Sequence, residues 1–420
     1  MMSRRPVPCL IALLFAAMEG SQASMPEAQA VNEAFGMELF SDDNLWDDDA
    51  EAVAKRLRWP RESRTSTDSS FRKYPPDDAL ILGCRPHSNV LLAEDGMPSS
   101  LSMVFANKGD SVVYTTSKSD RETKHLKTEQ IRGLQRRLGE DRKKLFDSLS
   151  ALFGDPSPGS LGQGVQTREF VKRWDWKGHA FMLATPRDEY VALRVMPSES
   201  ANAGGRSRIP DGEIRRRIAD RVERRPNGDV VLKDMPMVNQ GPKGYCVPAT
   251  WERVMRYMGV PADMYVLAMA GQTGKGGGTS CDAIAAGARQ AIIFSGRSIE
   301  NISLRIDPVS VARYIDRGLP IMWAMFSTSE FNKAANSRRK ARAEMCDPDA
   351  WKKQLGEARR AARRFRLERE TGHVCMIIGY NKQTGEIAVS DSWGPEYAER
   401  WVTPEEASAV SQRAFQVINL

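Results

Sequence analysis

Cys246 stands just ahead of Pro248 to Tyr257, an apolar-periodic run that reads as a helix stopped by Gly259. The positive end of that helix's backbone dipole favours thiolate over thiol at the cysteine, which makes it a candidate nucleophile. A nucleophilic sulfur needs a base, and the only histidine C-terminal to it is His373, at the head of the strand-like run His373 to Tyr380. An imidazole there could hold a thiolate-imidazolium pair, let the sulfur attack an acyl carbon and then protonate the leaving group. Asp391 follows the next strand-like run, Glu386 to Ser390. It could orient the imidazole through its other ring nitrogen if the two strands are antiparallel neighbours, and the connection Asn381 to Gly385 suits such a hairpin.

Gln240-Gly241-Pro242-Lys243-Gly244-Tyr245-Cys246, with the glutamine six residues ahead of the cysteine, resembles the glutamine and cysteine motif of papain-clan cysteine peptidases. Cys246-Val247-Pro248-Ala249 is closer to the Cys-Gly-Pro-Ala of the branch that is similar to bacteriocin-leader-processing peptidases. Gly372-His373-Val374 through Gly379-Tyr380 resembles the clan's histidine strand, and Asp391-Ser392-Trp393-Gly394 its Asn-Ser-Trp-Gly. The order Gln, Cys, His, Asp is the clan's order, and the resemblance covers roughly residues 235 to 420.

The resemblance implies an α+β fold with a helical lobe and an antiparallel sheet. It makes Cys246 the nucleophile, His373 the base, Asp391 the orienting residue, and Gln240 with the Cys246 amide the oxyanion hole. Tyr245, Trp393 and the glycine pair Gly277 and Gly278 are the expected substrate-binding positions; plain loop flexibility explains the glycines equally well. The implied activity is cleavage of a peptide or isopeptide bond through a thioester, on a peptide or protein substrate, with no metal or organic cofactor. The same residues would serve acyl transfer to an amine, as in transglutaminases. A blocked cleft would leave a non-catalytic peptide-binding module. Two positions depart from the pattern: Val247 replaces a glycine and could narrow the cleft, and Asp391 replaces papain's asparagine, its charge favouring imidazolium.

Other features fit less chemistry. Cys281 follows the capping residue Ser280 at another helix start, which makes it the nearest rival nucleophile, but no glutamine precedes it at the clan's spacing. Cys375 shares a strand face with His373 and reads as packing. The stretch Gly271 to Gly278 fails the nucleotide-loop spacing, because Lys275 is followed by glycine rather than Ser or Thr. The histidines His87, His125, His179 and His373 are scattered, no C-x-x-C occurs, and a structural metal is not expected. Residues 338 to 369 hold twelve Lys or Arg against five Asp or Glu, so this segment alone matches the chain's net charge of +7. It reads as a solvated helix pair or as a patch attracting acidic substrates or an anionic surface.

The 420 residues, 41% hydrophobic and 27% charged, suit two or three globular domains. A charge of +7 over that length argues for no nucleic-acid partner. Arg4 and Arg5, the apolar run Cys9 to Met18 and the small residues before Ala23 and Ala30 form signal-peptide grammar, so residues 1 to 30 are expected to be removed and the protein exported to a periplasm or beyond, with no membrane span left. Five cysteines would remain, an odd number. Residues 31 to 200 read as a separate α+β accessory domain with two passes of helix and three strands, 201 to 229 as a linker with a helix, and 230 to 420 as the peptidase-like domain. If residues 31 to 200 cover the cleft, a chain starting near Gly228 should be the more active one.

Overall fold

The computed structural model describes residues 25–109, 120–206, 208–242, 244–274, 278–345, 347–367 and 371–420. The expected cleavage segment up to residue 24, Lys275, Gly277 and Cys346 lie outside the described residues.

The first half comprises α1 (Ala28–Phe35), α2 (Ala50–Leu57), β1 (Arg61–Arg64), β2 (Asp68–Lys73), β3 (Ser88–Glu94), β4 (Met97–Asn107), α3 (Asp120–Phe153), β5 (Ser157–Leu161), β6 (Glu169–Trp176), β7 (His179–Ala184), β8 (Tyr190–Pro197) and α4 (Ser198–Asn202). Its strands form one antiparallel sheet in the order β1-β2-β3-β4-β8-β7-β6-β5, two four-stranded meanders joined where β4 pairs with β8. The apolar run from Ala79 does not extend as a strand to Leu92. Leu82 and Gly83 both take positive φ, close a tight turn with a bridge between Ile81 and Cys84, and delay the strand to Ser88.

The second half adds α5 (Asp211–Asp220), β9 (Val222–Arg224), β10 (Asp229–Leu232), α6 (Cys246–Tyr257), α7 (Met264–Ala270), α8 (Cys281–Phe294), β11 (Ser298–Ile302), α9 (Pro308–Ile315), β12 (Ile321–Phe326), α10 (Ser329–Ala343), α11 (Pro348–Ala362), β13 (Gly372–Asn381), β14 (Glu386–Ser390), β15 (Arg400–Val402), α12 (Pro404–Val410) and β16 (Ser411–Asn419). The strand order is β11-β16-β12-β13-β10-β9, and β14 pairs with β13 and carries β15. Strand β13 has β12 and then β10 along one edge and β14 along the other. Gly379 permits the change of partner, since a Cβ there would come within 2.6 Å of the Val230 carbonyl oxygen.

The helices begin where the chain supplies caps. Asp263, Ser280, Asp307, Thr328 and Asp347 each accept a first-turn N–H, and Thr403 with Glu406 closes a capping box. The 201 to 229 stretch is not a free linker. Ile214 and Ile218 of α5 are buried in the second core, and β9 pairs with β10.

The first sheet is not a stand-alone body either. Strand β7 is buried at every position, so it has two covered faces. Phe181 and Leu183 pack on the side of α1, α2 and α3. Ala180, Met182 and Ala184 pack into a second cluster with Tyr245, Ala249, Met264, Tyr265 and Ala268 from the other half. Polar groups cross the same junction: Arg194 of β8 holds Glu169 at 2.9 Å and Asp263, the cap of α7, at 3.0 Å. Thus the first half forms a platform under α6 and α7. Trp174, Trp176 and His179 are core residues, and the His179 Nε2 accepts the Leu45 N–H at 3.2 Å.

Candidate active site

Cys246 is the first residue of α6 and is half-buried. Four residues on, Thr250 turns toward β13 and donates to the Val374 carbonyl at 3.0 Å. This bond fixes the start of α6 against the strand residue that follows His373. Val247 is only 4% exposed and packs in the core, so its extra bulk does not narrow the cleft.

His373 pairs in register with Met325 of β12 and is hydrogen-bonded to Cys246. Its Nε2 lies 2.7 Å from Asp391 Oδ1, which leaves Nδ1 as the nitrogen facing sulfur. Asp391 sits just beyond β14, antiparallel to β13, as the hairpin reading required. The Trp393 ring stacks on the imidazole with centroids 4.8 Å apart, and Tyr397 meets Trp393 edge-on. The second Asp391 oxygen accepts a hydrogen bond from the Arg400 guanidinium, which is also held by Asn332 and Asn336.

The electrostatics follow from these contacts. Burial pushes the Cys246 thiol up, but the hydrogen bond and charge of His373, with backbone bonds at Val374 and Val247, outweigh it and bring it below the ordinary thiol value. Burial would lower His373; hydrogen bonds to Asp391 and Cys246 raise it instead, to about 9. Burial would likewise raise Asp391, yet Arg400 and His373 hold its carboxyl below the usual carboxylate range. Both shifts act in the same sense, favouring a thiolate beside an imidazolium over a neutral thiol and imidazole.

Gln240 enters from the other side. Its N–H donates to the Ser392 carbonyl at 2.8 Å, next to Asp391, and its side-chain Oε1 is buried without a hydrogen-bond partner. Gly278 has φ +85 and its N–H donates to the Gly244 carbonyl at 3.2 Å, which ties the glycine loop to the chain just before Cys246. Gly277 lies outside the described residues. Tyr245 is a correction: it does not face a substrate cleft but is 3% exposed, its hydroxyl donating to Asn107 Oδ1 at 2.9 Å and accepting the Gly109 N–H at 3.0 Å.

The rival sulfurs are placed differently. Burial, with the negative charges of Cys246 and Asp282, pushes the Cys281 thiol up to about 11. Cys375 is buried against the Met325 sulfur at 3.6 Å. A cavity of about 240 Å³ lined by Cys281, Ile302, Ala324, Val374 and Phe415 adjoins the site at Val374. Among the described residues no group of three His, Cys, Asp or Glu could hold a metal ion, and no helix is long and apolar enough to cross a membrane.

Sequence reasoning missed Arg400 and Arg253. Arg253, fully buried two turns after Cys246, donates to the Pro236 carbonyl at 2.8 Å and to Ser390 Oγ at 2.6 Å, tying the chain ahead of Gln240 to β14. The periodicity of α6 places Cys246, Thr250 and Arg253 on one face, a signal that could have found Arg253. Arg400 carries no local signal.

A helix-start cysteine beside a strand histidine that is hydrogen-bonded to a carboxylate is the arrangement that the resemblance to papain-clan cysteine peptidases implies. Residues 232–416 match the model of the Peptidase_C39 like family, so over that segment the resemblance to papain-clan cysteine peptidases holds and points to a cysteine peptidase. No curated protein matches the chain.

Proposed function

We propose that the protein hydrolyses a peptide or isopeptide bond through a thioester on Cys246, and the observation that carries this reading is the helix-start cysteine held by Thr250 against the strand of His373, whose Nε2 lies 2.7 Å from Asp391. The thiolate attacks the acyl carbon, and the oxyanion that forms is received by the Cys246 amide and the Gln240 carboxamide. The His373 imidazolium then gives its Nδ1 proton to the leaving amine as the C–N bond breaks and the thioester forms. Water attacks the thioester with His373 as base, releasing the carboxylic acid and restoring the thiol. Asp391 keeps the imidazole oriented and charged, and Trp393 covers its face. The cavity beside Val374 has apolar walls at Ile302, Ala324 and Phe415 and polar ones at Asp282, Asn301, Arg413 and Gln416, so it suits a substrate side chain with an apolar body and a polar end. The test is incubation of the full chain with a peptide library, with and without an added amine, followed by product sequencing: new carboxyl termini support hydrolysis, amide products indicate transfer, and no Cys246-dependent product contradicts both.

Two further points belong to the same reading. Export removes a leader ending at Ala23 rather than Ala30, because α1 starts at Ala28, buries Val31 and Phe35, and the Pro26 carbonyl accepts the Trp176 indole N–H at 2.8 Å. The basic segment attracts anionic substrates or surfaces with only part of its charge. Arg338 is consumed by a buried pair with Glu406, and Arg342 by Asp229 and Glu386, whereas Arg360, Arg363 and Arg364 are exposed.

A further inference from the structure

The segment that carries Gln240 is gripped by the first sheet. Strand β1 has a register shift between Arg61 and Ser63, a bulge that lets two successive side chains, Glu62 and Ser63, both reach the same segment of chain. Ser63 Oγ accepts the Met237 N–H at 2.9 Å and Glu62 Oε1 the Asn239 N–H at 2.6 Å. Just past β2, the Tyr74 hydroxyl donates to the Asn239 carbonyl at 2.7 Å, and its ring lies so close to Gly241 that a Cβ there would meet it at 2.8 Å. Gly241 also takes φ +75, so glycine is required on both counts.

Glu62 is itself buried and fixed by Arg72 at 2.7 Å and Ser70 at 3.1 Å. The opposite side of the segment is held by the Ser392 carbonyl at Gln240 and by Arg253 at Pro236. Backbone groups from Pro236 to Gln240 that would otherwise need water are thus satisfied from both halves of the molecule. Three of these bonds come from the first half, two from β1 and one from Tyr74.

We infer that the edge of the first sheet, through Glu62, Ser63 and Tyr74, is part of the acyl-transfer apparatus: it sets the position of the Gln240 carboxamide, which would receive the oxyanion. This rests on the hydrolase reading and adds positioning residues from outside the segment that matches the family. Preorganised donors at an oxyanion are worth about 10²–10³ in rate each, and the benefit falls when the donor is misplaced. Alkylation of the thiolate by iodoacetamide builds no oxyanion, so it reports the Cys246 and His373 pair alone.

The experiment measures both reactions on the full chain: acylation by p-nitrophenyl acetate and alkylation by iodoacetamide, for the wild type, Cys246→Ala, Ser63→Ala, Tyr74→Phe, the double variant and Ser63→Thr. Single hydroxyl deletions leave the Glu62 and Arg72 pair in place, so folding is retained, and the thermal midpoint checks it. The expected result is a fall in kcat of about tenfold or more in the double variant, with KM and the alkylation rate within twofold of wild type, and recovery in Ser63→Thr. Unchanged acylation, or equal losses in acylation and alkylation, would overturn the inference while leaving the hydrolase reading intact. A wild type that acylates no faster than Cys246→Ala would overturn that reading and the inference with it.

Discussion

Asp391 serves two cations at once, His373 and Arg400, from a fully buried position. Asp391→Asn keeps an acceptor for His373 but removes the charge that helps raise the imidazole to about 9. Because the charged imidazole persists up to its raised pKa, losing a raising cause moves the alkaline limit of the ion pair to lower pH. The same variant leaves Arg400 buried without its carboxylate, so stability should drop by about 3 kcal/mol; the alkylation pH profile and a urea midpoint check the two effects. Cys281, with its thiol pushed up to about 11, is about one part in a thousand thiolate at pH 8 and should alkylate at least tenfold more slowly than Cys246, as peptide mass spectrometry would read. Cys246, His373 and Asp391 were legible in the chain because each sits at an element end with a local pattern. Arg400 and Glu62 were not, since their roles arise from pairings across 9 and 177 residues that no local pattern records. Tyr245 was misread for the same reason: its neighbour in sequence is the candidate nucleophile, its neighbours in space are Asn107 and Gly109.

At the scale of elements, the central strands were legible as largely apolar runs, His179 to Thr185 and His373 to Tyr380, which the structure shows as strands covered on both faces, His179–Ala184 and Gly372–Asn381. Short strands such as β9 and β15 escaped, because three residues carry no period. The helix pair α10 and α11 divides its charges by face. Trp351, Leu355, Arg338 and Arg342 point inward, where the Arg342 guanidinium also lies 3.8 Å over Trp401. Reversing the exposed Arg360, Arg363 and Arg364 to Glu should therefore leave the thermal midpoint nearly unchanged and abolish salt-dependent binding to anionic vesicles or acidic peptides. Arg338→Glu should unfold the protein instead, since it places two carboxylates in one buried site beside Glu406. Equal effects from the two sets would contradict this division.

For the whole molecule, the junction between the halves decides what the first half does. Tyr245, Met264, Tyr265 and Ala268 lie against β4, β7 and β8, and Asp263 and Glu252 face Arg194 and Arg72 there. A chain starting at Gly228 would expose that apolar face, take Arg194 from Asp263 and the Arg72 charge from Glu252, and release the Gln240 segment from Glu62 and Tyr74. It should be aggregated or loosely packed by near-ultraviolet circular dichroism, with Cys246 no more reactive than a free cysteine. A soluble and more active truncated chain would restore the picture of a removable cover. The sequence boundary near residue 200 was visible as a polar stretch, but a shared core is formed by residues 104 to 268 and has no sequence signature of its own.

The ion pair between Cys246 and His373 is read most directly from the rate of Cys246 alkylation by iodoacetamide from pH 4 to 10, followed by peptide mass spectrometry, in the wild type and in His373→Ala. The expected result is a thiol that reacts as thiolate below the ordinary value of about 8.5 in the wild type, and a return to that value or above without His373. An inert Cys246, or the same ordinary titration in both proteins, would contradict it.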